Sequence, residues 1–62
     1  MITFNRSADP HSLDIVRDGQ EIGYLQWHIN AEPNITLRRE FERLTISEMK
    51  QALAKYKEIG YV

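Results

Sequence analysis

The sequence has no cysteine and no long apolar run, and these two absences exclude several classes of protein. Without cysteine the chain forms no disulfide bridge and no thiolate metal cluster. No apolar stretch approaches the ~20 residues that a membrane-spanning helix needs, and the N-terminus lacks a basic region followed by an apolar one. We therefore expect a cytoplasmic protein with no membrane partner.

An excess of charge of one sign is also lacking, since eight basic and nine acidic side chains give a net charge of −1. This balance provides no overall attraction for a phosphate backbone. With 42% hydrophobic and 27% charged residues, the composition is that of a globular protein rather than a disordered one. Because 62 residues are enough for one thin core, residues 1–62 are predicted to form a single domain.

Residues 45–60 predict an amphipathic helix, and this is the one segment long enough to cover a small core. Thr45 and Glu48 have the spacing of a capping box at the start of the helix. Gly60 suits the end of a helix. Apolar or small residues recur every three or four positions and fall on one stripe of the helix: Ile46, Met49, Ala52, Leu53, Tyr56 and Ile59.

Alternating apolar residues and turn residues predict four strands before the helix, over residues 1–5, 13–17, 20–29 and 35–39. The dipeptide Asp18-Gly19 tolerates the positive φ angles of a two-residue hairpin loop. The predicted cross-strand pairs of this hairpin are Arg17 with Gln20, Ile15 with Ile22, and Leu13 with Tyr24. Residues 39–44 also fit one face of a short helix, and we assign them to a loop.

The third predicted strand has one irregularity. Its apolar residues are even-numbered at Ile22 and Tyr24 but odd-numbered at Leu25, Trp27 and Ile29, so the apolar face changes side near this point. One extra residue bulged out of the strand returns both sets to a single face, and the neighbouring glycine favours this interpretation. The alternative is a strand that is apolar on both sides, with the tyrosine or the tryptophan on an open surface.

The element order β-β-β-β-α predicts an α+β fold, in which an antiparallel four-stranded meander carries the C-terminal helix on one face. One face of the sheet and the apolar stripe of the helix then form the core. The predicted core residues are Ile2, Phe4, Leu13, Ile15, Ile22, Leu25, Trp27, Ile29, Ile35, Leu37, Met49, Leu53 and Tyr56.

No residue pattern indicates catalysis, a metal or a cofactor. His11 and His28 have no second ligand at metal-binding spacing, so both are expected to be exposed to solvent. Asp9, Asp14 and Asp18 lie in a loop and a strand that do not gather them into a catalytic pair. A chain of this size also has little room for a substrate cleft. We predict that the protein is not an enzyme and that it binds neither a metal nor a cofactor.

Aromatic and arginine side chains supply most of the strong contacts at protein interfaces. The candidate binding residues of these types are Tyr24, Trp27, Arg38, Arg39 and Arg43. Two glutamates, Glu40 and Glu42, lie between Arg39 and Arg43, and charges that pair among themselves at a surface are the competing interpretation. For the tryptophan, the competing role is core packing. We expect a partner to meet the sheet or residues 38–43 rather than the outward lysines of the helix.

Three blocks of sequence carry a resemblance: IVRDGQEIGYLQWH (residues 15–28), EPNITL (32–37) and LTISEMKQAL (44–53). Together they resemble small prophage or phage-encoded proteins of unassigned function. The resemblance implies a product that acts by binding a host or phage protein. Our first hypothesis is therefore a protein-interaction module, a regulator or inhibitor whose partner is another protein or a second copy of the chain. The alternative is a nucleic-acid-binding protein that uses Arg38, Arg39 and Arg43, which the net charge disfavours.

Overall fold

A computed structural model describes residues 1–28 and 32–60 of the chain. In this part of the chain four antiparallel strands form one sheet in the order β1-β2-β3-β4, and a single helix follows them. The predicted α+β meander with a C-terminal helix is thus confirmed. No helix in the described residues is long and apolar enough to cross a membrane. The elements are β1 (Ile2–Arg6), β2 (Ser12–Arg17), β3 (Gln20–Gln26), β4 (Asn34–Leu37) and α1 (Ile46–Gly60).

The hairpin between β2 and β3 turns through two residues with positive φ, Asp18 at 51° and Gly19 at 82°. These angles match the right-handed twist of the flanking strands, and they explain why Asp-Gly occupies the turn. Arg17 pairs with Gln20, as predicted. The other two predicted pairs are wrong, because the observed register pairs Ile15 with Gly23 and Leu13 with Leu25.

A bulge in β3 causes this change of register. Val16 pairs with Glu21 while Ile15 pairs with Gly23, so Ile22 is the extra residue on β3. The predicted bulge exists, but it lies before Gly23 rather than after it. The earlier position places Ile22 on the buried face with Leu25, and it leaves the partly exposed Tyr24 on the opposite face.

Gly23 is required by the close approach of β4 to the bulged part of β3. A Cβ atom at this position would lie 2.2 Å from the carbonyl oxygen of Thr36 and 2.9 Å from the Cα of Leu37. Both neighbours are backbone atoms, so no side-chain rotation relieves the contact. The glycine that suggested a bulge in the sequence therefore has a second role in seating the edge strand.

The core lies between one face of the sheet and α1, and most of its predicted members are buried. Trp27 and Tyr56 join the sheet to the helix, since their ring centroids lie 5.7 Å apart in an edge-to-face arrangement. Phe4 and Leu37 pack against the core while remaining partly exposed, and Ile29 lies outside the described residues. The buried apolar residues are Ile2, Leu13, Ile15, Ile22, Leu25, Trp27, Ala52 and Tyr56.

The prediction that Met49, Leu53 and Ile35 belong to the core is wrong. The exposed fractions of Met49 and Leu53 are 42% and 48%, and Ile35 on β4 is 36% exposed. The helix instead buries Ala52 completely and packs Tyr56 against the sheet. Because alanine has no side chain beyond Cβ, its complete burial means that the helix backbone lies close to its neighbours at that position. The apolar stripe of α1 is wider than the face that the small sheet can cover, so one side of it stays exposed.

The start of α1 has the predicted capping box. The backbone N–H of Thr45 donates to Glu48 Oε1 at 2.9 Å, and the N–H of Glu48 donates to Thr45 Oγ1 at 3.1 Å. Two donors that the helix leaves unpaired are thereby satisfied. The preceding residues 39–44 form a turn and a loop, as assigned, and β4 ends two residues earlier than predicted.

Candidate interaction surfaces

Tyr24 and Arg38 lie together on the sheet face that is opposite the helix. Tyr24 pairs with Thr36 across β3 and β4, and the Arg38 guanidinium carbon lies 5.8 Å from the centre of the tyrosine ring. Arg38 also forms an ion pair with Glu21 on the same face. This contact raises the pKa of the Arg38 guanidinium above its ordinary value. Two of the five candidate binding residues are therefore neighbours, and one of them already has a partner of opposite charge.

Trp27 does not join this pair. It is buried on the helix side of the sheet, between the ring of Tyr56 and the ring of His11, whose centroid lies 6.2 Å away. Core packing is consequently its role, and a binding surface that combines Tyr24 with Trp27 is not formed. His11 and His28 are exposed, as predicted.

Arg39 and Arg43 point to different neighbours. The Arg39 guanidinium carbon lies 5.8 Å from the centre of the Phe41 ring, while Arg43 donates to the carbonyl oxygens of Glu40 and Glu42 at 3.1 and 3.2 Å. The arginines of residues 38–43 are thus divided among an ion pair, an aromatic ring and the backbone. They do not form the continuous basic surface that phosphate recognition needs.

Sequence reasoning missed the main ionic cluster of the described residues, which is centred on Arg17. Its Nη2 donates to Glu48 Oε1 at 2.6 Å, its Nε donates to Glu48 Oε2 at 3.2 Å, and its Nη1 donates to Glu42 Oε2 at 3.1 Å. Nη2 also donates to the carbonyl oxygen of Arg43 at 2.7 Å. The three side chains are between 13% and 25% exposed. The sequence contained a signal for this cluster, because Arg17 lies two residues after Ile15 and four after Leu13, and so on the same face of β2 as these buried residues.

This cluster is structural, because its hydrogen bonds join separate parts of the same chain. It joins the end of β2 to the loop before α1 and to the first turn of the helix. Hydrogen bonds from Arg17, and then from the backbone of Thr45, lower the pKa of the Glu48 carboxyl. The Glu48 carboxylate in turn raises the pKa of the Arg17 guanidinium.

Replacing Glu48 with glutamine tests how far the charge of this carboxylate stabilises the folded protein. Because the pKa of Glu48 is lower in the folded state, its stabilising effect is complete above the unfolded pKa and disappears as pH falls through the folded value. We expect Glu48→Gln to lower the melting temperature at neutral pH by roughly 4–8 °C, the shift that accompanies ~1 kcal/mol in a domain of this size. The gap between the two proteins should narrow steadily below pH 4. Melting curves that stay equally separated from pH 7 to pH 3 would contradict this account.

Three of the exposed apolar side chains lie on α1. Ile46 is 71% exposed, and it lies on the same side of the helix as Met49 and Leu53 at three- and four-residue spacing. We call these three residues, together with Ile35 on β4, the apolar flank. Side chains of this size exposed singly are normal, but three on one side of one helix form a patch.

The direction of α1 places the apolar flank beside β4. The first turn of α1 lies beside Arg17 at the end of β2, because Arg17 bonds to Glu48. Further along the helix, Tyr56 contacts Trp27 just beyond the end of β3. Among the strands its backbone comes nearest to β1. On a right-handed helix that runs in this direction over this face, the side carrying Met49 and Leu53 is turned towards β4. The polar side of the helix, with Gln51, is turned towards β1.

Among residues 1–28 and 32–60, no group of three or more histidine, cysteine, aspartate or glutamate side chains could hold a metal ion. Comparison of the chain with protein-family models, with curated proteins and with solved structures finds no match. The surfaces described above are therefore the basis for a proposal about function.

Proposed function

We propose that this protein is a small protein-interaction module and that the apolar flank is its binding surface. The observation that supports the proposal is the grouping of Ile46, Met49 and Leu53 on the β4 side of α1, where the sheet does not cover them. A helix that buries one side of its apolar stripe and exposes the other resembles the helices that dock on a partner. The proposal changes the expected surface, since its centre now lies on α1 and β4 rather than on residues 38–43.

Exposed lysines of α1 lie next to the apolar flank. Lys50 and Lys57 are on the solvent side of the helix, and Phe41 is exposed beside Arg39 in the loop that precedes it. Interfaces combine an apolar centre with a polar rim, and lysines are typical of the rim. The resemblance to phage-encoded proteins implies a regulator or inhibitor of a host protein, and this role stays a prediction.

Nucleic-acid binding receives less support. Arg38 is paired with Glu21, and Arg43 donates to its own loop, so two of the three arginines are occupied. The net charge of −1 adds no long-range attraction for phosphate.

Site-specific photocrosslinking in living cells would test the proposal. A benzoylphenylalanine placed at Leu53 should yield a discrete protein adduct, and the same probe at the exposed Thr3, on the opposite sheet face, should not. Adding Met49→Asp to the Leu53 probe should abolish the adduct, because a carboxylate in the apolar flank cannot be buried without a partner. An adduct from the Thr3 probe alone, or none from either position, would overturn the proposal.

A further inference from the structure

The outer edge of β4 has free backbone groups. Arg38 N–H donates to the carbonyl oxygen of Ile22 at 2.9 Å, so Arg38 faces β3. By alternation the backbone groups of Thr36 also face β3, and those of Ile35 and Leu37 point away from the sheet. Within residues 1–28 and 32–60 no strand pairs with this edge. The edge therefore presents two N–H and two C=O groups in the geometry that another strand accepts.

The strand β4 has only part of the usual protection against strand addition. Natural edge strands are guarded by short length, lysine, proline, a bulge or an inward charge. The four-residue β4 is short and follows Pro33, but its own residues Asn-Ile-Thr-Leu include no charge, proline or bulge. The other edge of the sheet, β1, ends in the exposed Arg6 and borders the polar side of α1. Of the two edges, β4 is therefore the one suited to pairing.

We propose that a second copy of this chain pairs with β4, strand to strand and antiparallel, so that the two sheets continue as one. The inference goes beyond the proposed function, because it assigns an occupant to the edge of β4, the strand that carries Ile35 of the apolar flank. A twofold axis perpendicular to the joined sheet places both helices on the same face. The Ile35 side chains of the two copies then lie near each other on that face, which removes part of their exposed surface from water.

The charges beside β4 favour a second copy in this orientation. Glu32 precedes the strand and Arg39 follows it, whereas Arg38 is already paired with Glu21. Antiparallel pairing brings the acidic end of one copy next to the basic end of the other, twice in each dimer. A parallel arrangement would instead place like charges together.

Sedimentation equilibrium of the full chain over a range of concentrations would test the pairing. We expect a reversible monomer–dimer equilibrium whose dissociation constant rises about tenfold or more in Ile35→Lys, because two lysines would then lie at the joined edges. The matched control Thr3→Lys, on an exposed position of β1, should leave the constant unchanged. Circular dichroism would establish that both variants are folded.

Two further measurements do not depend on that variant. Glu32→Arg and Arg39→Glu should each weaken the dimer several-fold, and the double variant should recover most of the loss. In the wild type, hydrogen exchange at the Ile35 and Leu37 amides should slow as protein concentration rises. A wild type that stays monomeric at all concentrations would overturn the inference, as would a dimer unaffected by Ile35→Lys or a double variant weaker than either single one. If the wild type is monomeric and the probe at Leu53 captures a different protein, this inference is wrong and the proposed function is supported.

Discussion

Gly23→Ala is expected to destabilise the domain by about 3 kcal/mol or more, near the upper end of the usual cost of overpacking. The added Cβ would lie 2.2 Å from the carbonyl oxygen of Thr36, so β4 must move away or β3 must distort. A chain of this size rarely has more than ~3–5 kcal/mol of stability. We therefore expect Gly23→Ala either to unfold at room temperature or to lose the pairing of β4 with β3. Circular dichroism melts and amide hydrogen exchange of Thr36 would detect the two results.

Gly19→Ala provides a control that separates a clash from backbone strain. Gly19 has a φ of 82°, and a Cβ added there meets no atom within 4 Å. Its replacement should cost ~1 kcal/mol through the left-handed conformation alone, without affecting β4. A Gly23→Ala protein that melts at or above the temperature of Gly19→Ala would show that β4 does not approach β3 as closely as described.

The topology could be predicted from the sequence because its signals are local. The Asp-Gly turn requires positive φ at both residues, and the Thr45–Glu48 capping box satisfies two helix donors within four residues. Each of these features depends only on its immediate neighbours. Together with the alternation of apolar residues, they determine a meander followed by a helix.

The position of the bulge could not be predicted so well. Shifting the extra residue by one or two places leaves the count of residues on each side of the turn unchanged. What selects Ile22 is the packing of β4 against Gly23, a contact between residues that are distant in sequence. This choice places Tyr24 beside Arg38 rather than in the core, so the candidate site depended on it.

The rotation of the helix is a tertiary property for the same reason. The apolar stripe of α1 covers more than one orientation, and the contacts of Ala52 and Tyr56 with the sheet select one of them. The ionic contacts of Arg17 with Glu48 hold the first turn in that orientation. Residues that periodicity assigns to the core thus become the exposed surface on which the proposed function rests.

A pair of leucine truncations would separate the core from the apolar flank. Leu25 is 1% exposed and Leu53 is 48% exposed, so the same chemical change acts in two different surroundings. We expect Leu25→Ala to cost about 2–5 kcal/mol, because it removes buried methyl groups and leaves a cavity. Leu53→Ala should cost at most ~1 kcal/mol, since about half of that side chain is already in water and no enclosed cavity forms.

Thermal melts of the two variants should be compared with the wild type at protein concentrations where the chain is monomeric, since self-association would add its own stabilisation. The order of the two variants should reverse in the binding assay: with the crosslinking probe at Met49 instead, Leu53→Ala should weaken adduct formation while the protein remains folded. Equal losses of stability in both variants would mean that Leu53 belongs to the core after all. In that event the apolar flank would not be exposed, and the surface proposed for binding would have to lie elsewhere on the sheet.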